Sequence, residues 1–311
     1  MSTQRPLAAL LVLTALAIAA PIHIAAEQTV TRLQVSSYTE IAEAISEMGY
    51  TEDAWNDGIR SVPRLVLADL PTTWNGADTT TAAAERSRLF FRLLAPAVLR
   101  ANEILSDTRQ RVETMLVDLE QGETPAADDA AWIAALARLH RVQNVDPTSL
   151  SARALQPLME KINTIPPSLV LADAADDCGW GTARFANTGD GLFDGWAWMK
   201  RPLSDEAFAL FEDDESAAPS GPLLRSVMAF MFDLNSNTKY AGFRARRDEM
   251  RRKDPSGFSG LDFLRTLSSV PGWNQQRVNT VQEIIREAAL RPIDRAELED
   301  GPTTVLAPTE S

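Results

Sequence analysis

Three acids close one short segment of the chain. In Pro166-Pro167-Ser168-Leu169-Val170-Leu171-Ala172-Asp173-Ala174-Ala175-Asp176-Asp177-Cys178-Gly179 a helix can open at the prolines, because Pro in a first turn gives up an N–H that has no helical partner anyway, and the glycine ends it. Offsets of four and three then put Val170, Ala174 and Asp177 on one face, so Asp177 is an acid on the apolar side of the last turn. Burial, the negative end of the helix and the neighbours Asp173 and Asp176 all disfavour the ionised form, which prepares a carboxyl group to act as a general acid at neutral pH. The competing reading is a solvated acid or a cap for the following turn.

Few other side chains offer chemistry. The one cysteine, Cys178, excludes an intramolecular disulfide and a multi-thiolate zinc site, and neither a metal nor an organic cofactor is indicated. Of two histidines, His23 lies in a leader-like segment, so any Ser-His or Cys-His nucleophile depends on His140. That residue falls near the end of a helical pattern, where a satisfied or dipole-favoured imidazole is expected. The run Arg244, Arg246, Arg247, Arg251, Arg252 and Lys253, interleaved with Asp248 and Glu249, reads as a solvated helix face. A net charge of −13 over 311 residues disfavours nonspecific nucleic-acid binding, and 45% hydrophobic residues mark a globular protein with a buried core.

The elements that must position these residues follow from periodicity. Residues 1–26 carry Arg5 and then a nearly unbroken apolar run with small-x-small sites, the pattern of a signal peptide or an N-terminal anchor, which implies export. Residues 27–147 read as a helical N-terminal extension. Within it Val62 to Leu67 is an extended segment that docks on a domain, and Ala82 to Glu120 is an amphipathic helix that Pro96 is expected to kink or split. A helix over 128–142 follows. Residues 148–292 form the main domain, with helices over 146–162, 167–178, 223–234, 240–252, 261–267 and 278–290. Residues 293–311 are polar and Pro-containing and read as a disordered tail.

Ile165 to Phe185, with Leu192-Phe193 and Trp196 after it, resembles the signature of the bacterial glucosaminidase family, glycoside hydrolase family 73, and within it the Bax-like branch. There the helix ends in Glu-Ser-Gly-Trp-Gly-Thr-Ser-Arg-Phe, followed by Gly-Asn-Asn-Leu-Phe-Gly-x-Trp. Val62-Pro63-Arg64, Leu89 to Arg92, Leu99 to Glu103 and Asp233 to Tyr240 extend the resemblance over roughly residues 60 to 290. It implies an α+β, mostly α, lysozyme-like domain with a small β lobe. It also implies an exported peptidoglycan hydrolase of the endo-β-N-acetylglucosaminidase type, in the periplasm or at the outer face of the inner membrane. Asp177 stands where that family has its proton-donating Glu, Cys178 where it has Ser, Asp190-Gly191 where it has paired Asn, and Asp194 where it has Gly. The carboxylate survives one methylene shorter, and a reacting group misplaced by about 1 Å can cost ~100-fold in rate.

By the same resemblance Tyr240 hydrogen-bonds either the acid or an acetamido group, with a core tyrosine as the alternative, and Trp180, Arg184, Phe193 and Trp196 contact glycan. A glycosidase usually pairs its acid with a second carboxylate, about 6.5 to 9.5 Å away for inversion or about 5 Å for retention. Glu206, just before the apolar stretch 207–211, is the candidate, against a solvated acidic loop. Two rival functions stay open: a catalytically impaired relative that binds or scaffolds glycan, and a lytic transglycosylase.

Overall fold

The computed structural model describes residues 30–68, 83–178, 203–211, 221–253 and 258–308. In chain order the elements are β1 (Val30–Val35), α1 (Tyr38–Glu47), α2 (Glu52–Asn56), β2 (Ser61–Val62), β3 (Leu65–Leu67), α3 (Ala83–Glu120), α4 (Ala127–Leu139), α5 (Ala152–Leu155), α6 (Leu158–Lys161), α7 (Pro167–Cys178), α8 (Asp205–Phe208), α9 (Pro222–Ser236), α10 (Ala241–Lys253), α11 (Leu264–Leu267), α12 (Gln275–Glu287), β4 (Glu297–Leu298) and β5 (Thr303–Pro308). Short 3-10 turns lie at Thr238–Tyr240, Gly260–Asp262 and Arg291–Arg295. The described chain is mostly helical with a minor β component, an α+β arrangement.

α7 is the hub. Every residue from Ser168 to Ala175 is buried, as a helix apolar on all sides must be, and α3, α12 and the turns at 260–262 and 291–295 pack around it. α3 is one continuous helix of 38 residues with Pro96 inside it, so the expected split does not occur. Its segment from Leu89 to Leu99 is buried on all sides, so packing holds the helix across a residue that lacks an N–H. Further along, Leu105, Val112, Met115 and Leu116 keep a stripe against the core. One cluster of buried apolar residues runs from Val35 to Leu306 and includes residues of both α3 and α7. The helix expected over 146–162 is two single turns, α5 and α6, separated at Gln156-Pro157.

The C-terminal segment corrects the expectation of a disordered tail. β5 is the middle strand of a three-stranded parallel sheet, β1-β5-β3, with Val30 opposite Thr303 and Leu67 opposite Leu306. β4 pairs in parallel with β2, Ser61 opposite Glu297. The extended segment at 62–67 therefore docks as predicted, but on the chain's own far end, where Val305 and Leu306 are fully buried. Both sheets draw on the two ends of the described chain, whereas the small β lobe was expected beyond α7, outside the described residues at 179–202.

The basic run on α10 is a second correction. Arg247 is 0% exposed and Arg244 is buried beside it. Arg244 Nη1 donates to the carbonyls of Leu234 and Asn237 at 3.1 and 2.8 Å. Arg247 donates to Asn235 Oδ1 at 2.6 Å and to the carbonyls of Glu160 and Thr164 at 2.9 and 3.3 Å. These acceptors end α9 and α6 or follow α6, positions whose carbonyls have no intrahelical donor, and the guanidinium forks supply one. Arg246 and Lys253 do stay at the surface, paired with Glu249.

Candidate functional site

The first turn of α7 is tied down by an acid. Ser168 donates its backbone N–H to Asp294 Oδ1 at 2.8 Å and its hydroxyl to Asp294 Oδ2 at 2.7 Å. Gly260 donates its N–H to Ser168 Oγ at 3.0 Å. A side chain at 260 is excluded, since a Cβ there would stand 2.7 Å from the Leu169 nitrogen. Burial pushes the Asp294 carboxyl up to about 6 against the hydrogen bonds it accepts.

At the other end of the helix lie the three acids. Asp173 is 0% exposed, the Asp177 side chain is 6% exposed and Asp176 is half-buried. Asp177 is thus the inward-facing acid of the last turn that the spacing predicts. Anions are disfavoured at a helix C-terminus, so local stability does not account for three of them there. Their counter-charge is Arg277, in the first turn of α12, where its backbone N–H donates to the Asn274 side chain that caps the helix. Arg277 Nη2 lies 2.8 Å from Asp173 Oδ1 and 2.7 Å from Asp177 Oδ1, its Nε donates to Asp173 Oδ1 at 3.2 Å, and Nη1 stands 3.8 Å from Asp176 Oδ2. Its Cζ sits 5.1 Å from the centre of the Trp273 ring.

Burial raises Asp173 well above the usual carboxylate range despite Arg277, and the charges on Asp177 and Asp176 push the same way. Asp176 is raised by burial, with Arg277 opposing. Burial works against the Arg277 charge, but Asp173 and Asp177 reverse the balance and hold its proton more tightly than usual. Tyr240 is fully buried behind this group, beside the Trp273 side chain. Burial raises its pKa far above normal, Asp233 and Asp173 raise it further, and Arg277 lowers it. Tyr240 is therefore a neutral core residue within electrostatic reach of the acids.

Of the other expected site residues, Glu206 lies in the first turn of α8, fully exposed, with its carboxylate bonded to Ser204 and held below its ordinary range chiefly by that bond. No ion pair joins it to the Arg277 cluster among the described residues. Trp180, Arg184, Phe193 and Trp196 lie outside the described residues, as does the leader at 1–26. His140 caps the end of α4, fully buried, with Nδ1 2.8 Å from Ser236 Oγ. Burial and the charges of Lys161 and Arg244 bring its pKa down to about 3, so it is a neutral imidazole, bonded at Nδ1 and with no hydrogen-bond partner at Nε2 among the described residues, and not a dipole-stabilised cation. Among the described residues no group of three or more His, Cys, Asp or Glu is placed to hold a metal ion.

Sequence reasoning missed Arg277. The signal was present, since Arg277, Val281, Ile284 and Ala288 follow offsets of four, three and four, which puts a cation on the apolar stripe of α12. It also missed a cavity of about 540 Å³ at the opposite end of α7, lined among others by Arg64, Glu103, Thr164, Arg251 and Asp294. There Arg64 holds Glu103 through both terminal nitrogens at 2.9 Å.

No protein-family model and no solved structure matches the chain. Over 171 residues it is 25% identical to protein bax of Escherichia coli (strain K12), a stretch that covers 54% of this chain and 58% of that protein. The chain thus spans less than two thirds of the length of this curated relative, to which it is distantly similar.

Proposed function

We propose that the protein is an exported peptidoglycan hydrolase of the endo-β-N-acetylglucosaminidase type, with a lysozyme-like domain and Asp177 as the proton donor. The observation that carries this reading is the placement of Asp177: a nearly buried acid at the end of the central helix, in a group of acids that its own helix dipole disfavours, gripped by an arginine from another helix. The resemblance of Ile165 to Phe185 to the glucosaminidase signature and the distant similarity to protein bax support it from sequence. In the reaction the Asp177 proton passes to the glycosidic oxygen and the bond from that oxygen to the anomeric carbon breaks. Its electron pair stays with the leaving oxygen, and water adds to the anomeric carbon and releases its spare proton to solvent. Arg277 then stabilises the carboxylate left behind.

One observation favours a second reading. Asp177 forms an ion pair with Arg277 at 2.7 Å, and because a neighbouring cation disfavours the protonated form that a general acid needs, this contact fits a relative that binds glycan without cleaving it. Purified protein incubated with peptidoglycan separates the readings. Release of new reducing ends supports the hydrolase, an anhydro end group moves the assignment to a lytic transglycosylase, and sedimentation with glycan without cleavage leaves the binding relative. Export is checked by fusing residues 1–40 to a reporter active only outside the cytoplasm; an inactive fusion sinks the peptidoglycan reading.

A further inference from the structure

We infer that the cavity at the start of α7 is a binding site for a short peptide with both ends free, whose carboxylate pairs with Arg251 and whose ammonium group meets Glu297 and Asp300. The inference goes beyond the hydrolase reading and does not depend on Asp177, which lies at the other end of the helix.

Arg251 is the half-buried arginine of α10 with neither a carboxylate nor a carbonyl partner among the described residues. Arg246 pairs with Glu249, and Arg244 and Arg247 direct their guanidinium groups at carbonyl oxygens. Arg251 Nη2 donates to the Thr164 hydroxyl at 2.8 Å, and its Nε is buried without a partner. Burial lowers its pKa and Arg109 pushes the same way, against Asp248 and Glu113, so its charge is held at a cost that an added anion would relieve. Thr164 accepts from Arg251 and keeps its own proton for a second acceptor, since a hydroxyl is both donor and acceptor. The start of α7 adds little. Pro166 and Pro167 carry no N–H, and the N–H of Ser168 is taken by Asp294. Recognition of an anion here therefore falls to Arg251 and Thr164, and a planar carboxylate matches the guanidinium fork.

The rest of the wall decides what else the ligand carries. Leu99, Ile165, Phe258 and Leu298 make it partly apolar, with Arg251 Cζ 5.8 Å from the centre of the Phe258 ring. Of the acids that line it, Glu103 is neutralised by Arg64 and Arg100 at 2.9 and 3.0 Å, and Asp294 is engaged by Ser168. Glu297 on β4 and Asp300 just beyond it are exposed and make no ion pair among the described residues. One uncompensated cation and two uncompensated carboxylates thus line a cavity of about 540 Å³, a size within the usual range of small-molecule sites. A simple anion gains Arg251 but is repelled by the acids, the more so if it is a doubly charged phosphate. A simple cation meets the reverse. A ligand with a carboxylate at one end and an ammonium group at the other complements both, and the side chains of a short peptide suit the apolar wall between them.

The test is calorimetric titration of the full chain with the dipeptide Ala-Leu, its N-acetyl form and its C-terminal amide, in wild type, Arg251→Gln and the double variant Glu297→Gln/Asp300→Asn. Expected is saturable binding of Ala-Leu to wild type, weakened about tenfold or more when either end is blocked, as loss of a charge-assisted contact requires. Arg251→Gln should weaken Ala-Leu and leave the amide unchanged, because the amide already lacks the carboxylate that Arg251 pairs with. The double variant should weaken Ala-Leu and leave the N-acetyl form unchanged. No saturable binding of Ala-Leu up to about 10 mM, equal binding of either blocked peptide, or an Ala-Leu affinity that neither variant alters overturns the inference. Glu297 and Asp300 are exposed, so the double variant locates the site even if Arg251→Gln fails to fold.

Discussion

Ser168 gives Asp294 two hydrogen bonds, one from its backbone and one from its hydroxyl, and thereby fixes where the central helix begins. The pairing joins residues far apart in the chain, and Asp294 pays for it with a carboxyl raised to about 6 by burial. The folded state therefore binds this proton more tightly than the unfolded chain does. Its stabilising effect is complete below the ordinary aspartate range near 4 and is lost as pH rises through about 6, a change of about 3 kcal/mol. Urea unfolding between pH 4 and 7 should show this fall, and Asp294→Asn should flatten it. An unchanged slope in the variant removes Asp294 as the cause.

Gly260 carries the companion prediction. A Cβ would meet backbone at 2.7 Å, so Gly260→Ala must push the 260–262 turn away from α7 and should cost about 1 to 3 kcal/mol of stability. Thermal or urea unfolding measures it directly, and a neutral result would show that the turn yields freely.

Arg277→Met leaves the buried acids without their cation. Removing one partner of a buried ion pair typically costs about 3 to 5 kcal/mol. The loss should be largest at neutral pH and should shrink in acid, where Asp173, Asp176 and Asp177 take up protons and no longer need a counter-charge. A loss that does not depend on pH would mean that Arg277 acts by packing on Trp273.

For Asp177, Asp177→Asn keeps the shape but cannot donate a proton, so glycan cleavage should fall by ~100-fold or more with folding retained. Asp177→Glu restores the reach of the family's acid and should raise activity. Full activity in Asp177→Asn would put the chemistry on another residue.

The arginines of α10 should divide sharply. Arg247→Met strands the carbonyls of Glu160 and Thr164 and the Asn235 side chain and should destabilise by several kcal/mol, at about 1 to 3 kcal/mol for each buried group left unsatisfied. Arg246→Ala, on the exposed face, should fall within about 0.5 kcal/mol of wild type.

Read alone, the sequence determined what is local. Pro166-Pro167 open the central helix, apolar spacing set α3, α4, α9 and α12 to within a few residues, and offsets of four and three put Asp177 on an inward face. These features depend on backbone geometry that repeats every few residues, so a short window contains all the information they need. Tertiary structure decided what is nonlocal. The short run Thr303 to Pro308 looks like a polar tail until β1 and β3 flank it, because a strand's hydrogen bonds are made by partners that can lie hundreds of residues away. Arg244 and Arg247 read as surface charge until the ends of α6 and α9 bring them carbonyls. The acids of α7 likewise read as mutually repelling until α12 swings Arg277 among them, since the charge state of a buried carboxylate belongs to everything packed around it and not to its own helix.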